Sequence, residues 1–159
     1  MSKKVAILVN PDNSISVVRA SPKYTEEEVL EVFKKSNPKN LPITIVDESE
    51  LPIDRVFRNA WNLSGGIVEI DSGKARNIHM DRLRHLRNKQ LEKLDKEMMV
   101  AADKEDVEKV KEIRQLKQRL RDMTKTEDLT LLDMDTLKTH QPHYLEGDVT
   151  ILGHMVFNK

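Results

Sequence analysis

The chain has 159 residues, enough for one compact domain or a small domain with an extension. Lys+Arg and Asp+Glu both total 27, so no overall charge drives it onto nucleic acid or an acidic membrane. Cysteine is absent, which excludes disulfides and thiol chemistry, and 34% charged with 4% aromatic residues suits long exposed helices better than a thick-cored enzyme.

In chain order, Lys4 to Val9 reads as a short strand rich in branched residues, followed by the turn cluster Asn10-Pro11-Asp12-Asn13. Its apolar run is too short for a signal peptide, and no run reaches the ~18 apolar residues of a membrane span. A soluble protein made in the cytoplasm is expected. Ser14 to Ala20 alternates, with Ile15 and Val17 on one face, as the returning strand of a hairpin. Thr25-Glu26-Glu27-Glu28 is a capping box that opens a helix carrying Val29, Leu30, Val32 and Phe33 and ending before Asn37-Pro38. Leu41 to Asp47 is a third strand. Phe57 and Trp61 stand four apart, so one helical turn would place them on one face, as a core anchor or as an interface hot spot beside Arg55 and Arg58. Ser64-Gly65-Gly66 is a turn, and Ile67 to Ile70 a strand leading into a long helix.

That helix is capped by Asp71 or Ser72 and carries Met80, Leu83, Leu91, Leu94, Met98 and Ala101 at steps of three and four, with Arg87 interrupting the stripe. The pattern breaks at Ala102–Asp106, where Asp103 with Asp106 resembles a second cap. Val107, Val110, Ile113, Leu116, Leu120 and Met123 make the apolar stripe of a second helix. Two such helices on a short connection pack antiparallel. Leu129 to Leu137 suggests a short helix ended by Gln141-Pro142. Val149–Leu152 and Met155–Phe157 read as a terminal strand or two, an open edge that seeks a partner. The expected fold is α+β: a β-hairpin/helix/strand head (1–70), an antiparallel helical hairpin (71–124) and an irregular tail with a short strand (125–159).

The run Ile45-Val46-Asp47-Glu48-Ser49-Glu50-Leu51-Pro52-Ile53-Asp54-Arg55-Val56-Phe57-Arg58-Asn59-Ala60-Trp61 resembles a segment, "IVDxSDLPxDRTFRNAW", of short proteins encoded by tailed bacteriophages and prophages. Further matches are Lys74-Ala75-Arg76-Asn77-Ile78, Asp81-Arg82-Leu83-Arg84, Leu94-Asp95 and Lys117-Gln118-Arg119-Leu120-Arg121-Asp122-Met123-Thr124, in the same order over roughly residues 43 to 125. The resemblance implies a phage-encoded protein of a kind often found near tail or tail-fibre genes, and carries no catalytic motif. Members often stop soon after the second helix, so residues 130–159 depart from the pattern.

Other signals are weak. Gly66 and Gly73 are too far apart for a phosphate loop, and Ala75 stands where Ser or Thr should hold magnesium. His140, His143 and His154 lack the convergent partners of a metal site, and His79 and His85 face different sides of a helix. Residues 74–93 hold seven cations against Asp81 and Glu92, a net of +5. This is a phosphate-contacting face or a solvated one that pairs with residues 95–112, and it lacks base-stacking aromatics. No nucleophile elbow or paired-carboxylate site appears.

The reading is a phage virion structural protein, not an enzyme, without cofactor or metal, forming oligomers and binding other virion proteins. The alternatives are a non-virion assembly chaperone and a nucleic-acid-binding accessory protein using 74–93. The expected interface comprises Arg55, Phe57, Arg58 and Trp61; Arg82, Arg84 and Arg87; and Val149, Ile151, Val156 and Phe157. Removal of the tail after Thr124 is expected to leave residues 1–123 folded.

Overall fold

In a computed structural model, which describes residues 3–154, the chain is mixed α and β and divides into two compact units, Met1–Ala75 and Arg76–Lys159. The division falls in the first turn of the long helix, and the tail is not a third unit.

In the first unit, β1 (Lys4–Val9) is the centre of a three-stranded antiparallel sheet, flanked by β2 (Ile15–Arg19) and β3 (Ile43–Asp47). Val5, Ala6, Ile7 and Leu8 are all buried, so both faces of this central strand are covered as well as both edges. Val5, Ile7, Val17 and Val46 share one face by register and pack in a cluster with Leu51, Trp61 and Val68. Between β2 and β3 the chain passes over β1 through α1 (Glu26–Lys35), whose Phe33 is buried. The capping box is present as expected: Thr25 Oγ1 accepts from Glu28 N–H, and Glu28 Oε2 accepts from Thr25 N–H at 2.7 Å.

A strand the sequence reading omits, β4 (Trp61–Ser64), pairs with β5 (Ile67–Ile70). Its two-residue turn is Gly65-Gly66, with φ of 57° and 81°. Two positive φ angles match the right-handed twist of a tight hairpin, and glycine adopts them freely. Phe57 and Trp61 therefore do not share a helical face. A 3-10 turn, Arg58–Ala60, separates them, and both are buried.

The second unit is built on α2 (Ser72–Asp103) and α3 (Val107–Thr126). Asp71 Oδ1 accepts from Lys74 N–H and caps the start of α2. At its end, Asp106 N–H bonds Ala101 O and Glu105 N–H bonds Ala102 O, with Glu105 at φ 56°. This is a left-handed C-terminal cap with glutamate where glycine is usual. Asp106, not Asp103, caps α3, through Lys109 N–H. Lys117 pairs with Asp95, and Leu83, Leu94, Ala101, Ile113, Leu120 and Met123 share one core cluster, so α3 folds back along α2.

The tail completes that core. Leu145, Val149 and Leu152 belong to the same cluster, and Leu129 and Leu137 are buried as well. The expected strand at 149–152 is a 3-10 helix, Val149–His154; residues 155–159, with Val156 and Phe157, lie outside the described residues. The expected helix over 129–137 shortens to α4 (Met134–Leu137), capped by Asp133. Gly147 has φ 94°, and a Cβ there would lie 2.9 Å from Leu86 Cδ2, so glycine is what lets the tail settle on Leu86.

Candidate interaction surfaces

The residues singled out from sequence take three different places. In the first unit, Phe57 and Trp61 sit inside while Arg55 and Arg58 are exposed. Both aromatics are interior side chains, Trp61 in the core cluster of the first unit, and of these four residues the arginines present a surface. Arg58 and Asn59 wall a cleft of about 430 Å³ whose other side is Ser14–Val17 of the β2 edge. Trp61 also lines it and keeps its indole N–H buried without an acceptor among the described residues.

In the second unit, three cations of α2 reach the tail of the same unit. Arg76 Nε donates to Leu129 O at 3.1 Å. Arg82 is buried and donates to Gly153 O at 3.2 Å, and burial lowers its pKa. Lys93 pairs with Glu146 at 3.0 Å. Two uncharged side chains do the same job. His79 Nε2–H donates to His140 O at 2.7 Å, and Gln90 bonds Tyr144 O and Glu146 N–H together. Positions 76, 79, 82, 86, 90 and 93 follow steps of three and four, so α2 carries a second, mainly polar stripe that faces the tail, four of its side chains bonding tail backbone. The bonds from Arg76, His79, Arg82 and Gln90 satisfy tail carbonyls and an amide that would otherwise be costly to bury; Lys93 reaches the Glu146 carboxylate instead.

Arg84 pairs with Asp81, and Arg87 donates to Asn88, its guanidinium pKa lowered by partial burial and by Arg84. The expected face of Arg82, Arg84 and Arg87 thus loses Arg82 to the interior. Val149 is likewise inside, at 2% exposure, whereas Ile151 of the same 3-10 turn is exposed.

Burial also acts on His79: loss of solvent, with Arg82 and His140 nearby, brings its pKa down to about 4. Its ring is therefore neutral near pH 7, with the proton on Nε2 where the carbonyl requires a donor. His140 Nε2–H bonds Glu127, His143 Nε2 accepts from Arg119, and Arg119 stacks 4.2 Å above the Tyr144 ring. His140 and His143 are thus tied to α3 and the residue following it. Among the described residues no group of three or more His, Asp or Glu side chains is placed to hold a metal ion.

A surface that sequence reasoning missed is the end of the helix pair. Met99, Val100 and Val107 are 68%, 53% and 73% exposed. Val100 and Ala101 line a depression of about 390 Å³ ringed by Lys96, Lys104 and Lys109. The signal was present in Met98-Met99-Val100, apolar residues too many for one stripe. No helix among the described residues is long and apolar enough to cross a membrane. No protein-family model, curated protein or solved structure matches the chain.

Proposed function

We propose that this is a bacteriophage virion structural protein, associated with the tail, neck or fibre, that acts by binding other virion proteins. The observation that carries the protein-binding part is the apolar end of the helix pair. The 32 residues of α2 span about 48 Å. At its far end Met99, Val100 and Val107 remain in solvent, whereas Leu83, Leu94, Ile113, Leu120 and Met123 of the same helices are buried. Large apolar groups concentrated at one exposed end, ringed by charge, mark a contact with another protein. The resemblance over residues 43–125 supplies the phage setting. Virion components follow rotational symmetry, so several copies around an axis are part of the proposal.

The test is quantitative mass spectrometry of purified particles carrying the wild-type chain or the double variant Val100→Asp/Val107→Asp. Wild type at a fixed copy number, with the variant folded by circular dichroism yet missing from particles, is the expected result. A variant that incorporates normally removes the helix end from the contact. A wild-type chain abundant in infected cells but absent from particles would make it an assembly chaperone instead.

A further inference from the structure

The outer edge of β2 is open, and its hydrogen-bonding direction follows from the register. Asn10 N–H donates to Ser14 O at 2.8 Å, so that pair is a bonded one. Bonded and non-bonded pairs alternate along an antiparallel ladder. Leu8/Ser16 and Ala6/Val18 are therefore the bonded pairs, and Ile15, Val17 and Arg19 point their N–H and C=O groups away from β1. The opposite side of β1 agrees, since Val9 N–H bonds Pro42 O on the β3 side. Among the described residues nothing hydrogen-bonds the outward backbone groups of Ile15 and Val17.

Two features distinguish this edge from a merely solvated one. The cleft of about 430 Å³ runs along Ser14–Val17. Its far wall presents Arg58 and Asn59, whose side chains make no hydrogen bond or ion pair among the described residues. Arg19 is paired with Glu48, which leaves Arg58 as the cation of the cleft with charge to offer. Natural edge strands are usually blunted by proline, an inward charge or a bulge, and Ile15–Arg19 has no proline and pairs with β1 without a bulge.

We infer that the β2 edge is a strand-addition site that takes an extended, acidic peptide segment of a partner protein. The segment hydrogen-bonds Ile15 and Val17 through its backbone, and a Glu or Asp side chain reaches Arg58. Backbone pairing supplies affinity and the arginine supplies selectivity, a division of labour general to strand-addition sites. This site is separate from the helix end and stands whether or not the protein is a virion component.

The experiment uses the full chain, labelled with nitrogen-15, and a seven-residue acetylated, amidated peptide of alternating valine and threonine with a central glutamate. A second peptide carries lysine at that centre. Saturable binding of the glutamate peptide, with hydrogen exchange slowed at the Ile15 and Val17 amides, is the expected result. The lysine peptide, and the variant Arg58→Glu with the glutamate peptide, bind roughly tenfold more weakly. Arg58 is exposed, so the variant keeps the fold. Equal binding of both peptides overturns the assignment of Arg58. Protection appearing at β3 or elsewhere, or no saturation by the glutamate peptide in the millimolar range, overturns the site.

Discussion

Arg58 and Arg82 are the same residue type, each set beside buried apolar side chains, and they do opposite things. Arg58 follows a buried aromatic in the first unit and ends in solvent at the wall of a cleft. Arg82 lies inside the second unit and ends on the carbonyl of Gly153. The first unit makes its core from strand faces, whose backbone is already satisfied by the ladder, so its long polar side chains are left over for the surface. The second unit must bury a tail with little regular structure. Tail amides and carbonyls have no ladder, and α2 satisfies them with side chains. Charge counted along a sequence does not distinguish the two uses. What distinguishes them is whether a segment without its own hydrogen bonds has to be buried nearby.

The largest effect that follows is on truncation. Ending the chain after Thr126 removes Leu129, Leu137, Leu145, Val149 and Leu152, all buried. Their burial amounts to something on the order of 10 kcal/mol, comparable with the net stability of a whole domain. The expectation drawn from sequence, that the tail can be lost without unfolding the rest, is thus reversed for the second unit. Hydrogen exchange should show α2 and α3 losing protection from about residue 76 onward while β1–β3 retain theirs. The first unit's core cluster includes no tail residue. Unchanged protection in α2 would mean that the tail is a cover and no part of the core.

Acid should separate the units next. His79 is neutral when folded, with a pKa of about 4, and titrates near 6.5 when unfolded. Between those values the unfolded chain binds the extra proton, so this contribution is complete above pH 6.5 and is lost as the pH falls through 4. The size is about 3 kcal/mol for a shift of this order. Urea titrations of the full chain at pH 7 and pH 5 should show the second unit weakening over that interval, and His79→Gln should flatten the dependence. A dependence that survives His79→Gln unaltered would place the acid response on other groups.

Several of these elements were legible in the sequence because their causes are local. The bounds of β1 and β5, the Thr25–Glu28 capping box and the two apolar stripes of α2 and α3 each depend on residues within a few positions of each other. β4 was missed because Trp61–Ser64 is four residues long and the Phe57–Trp61 spacing imitates a helical turn. The tail was misread because its causes are remote. Val149–Leu152 has the composition of a strand, but Arg82, more than sixty residues earlier, and the core it borders decide its conformation. The polar stripe from Arg76 to Lys93 was readable as a pattern of threes and fours. Its charge drew the reading toward an external ligand and away from the chain's own backbone. The Arg58 cleft needed the tertiary fold, which brings Ser14–Val17 beside residue 58.

The two arginines test this distinction at a smaller scale. Arg82→Ala leaves the buried carbonyl of Gly153 without this donor and should cost about 1–3 kcal/mol. Arg58→Ala should stay within about 0.5 kcal/mol in stability. Thermal melts of both variants in one buffer decide it. Equal effects would erase the contrast between a backbone clamp and a free surface cation.

The turns offer the finest comparison. The β4–β5 turn meets its two positive φ angles with glycine, whereas the α2–α3 turn places Glu105 at φ 56°. For a residue with a Cβ this region costs roughly 1–2 kcal/mol, and glycine gives part of that back as backbone entropy. Glu105→Gly should therefore stabilise the helix pair by up to about 1 kcal/mol. Gly65→Asn should be close to neutral, because asparagine tolerates the first position of such a hairpin turn and a Cβ there meets nothing within 4 Å. Glu105 follows Lys104 and precedes Asp106, next to the exposed Val100 and Val107. If Glu105→Gly raises the melting temperature and leaves particle incorporation intact, the strain is incidental. If it raises stability while lowering incorporation, the glutamate side chain or its backbone geometry takes part in the contact made by the end of the helix pair.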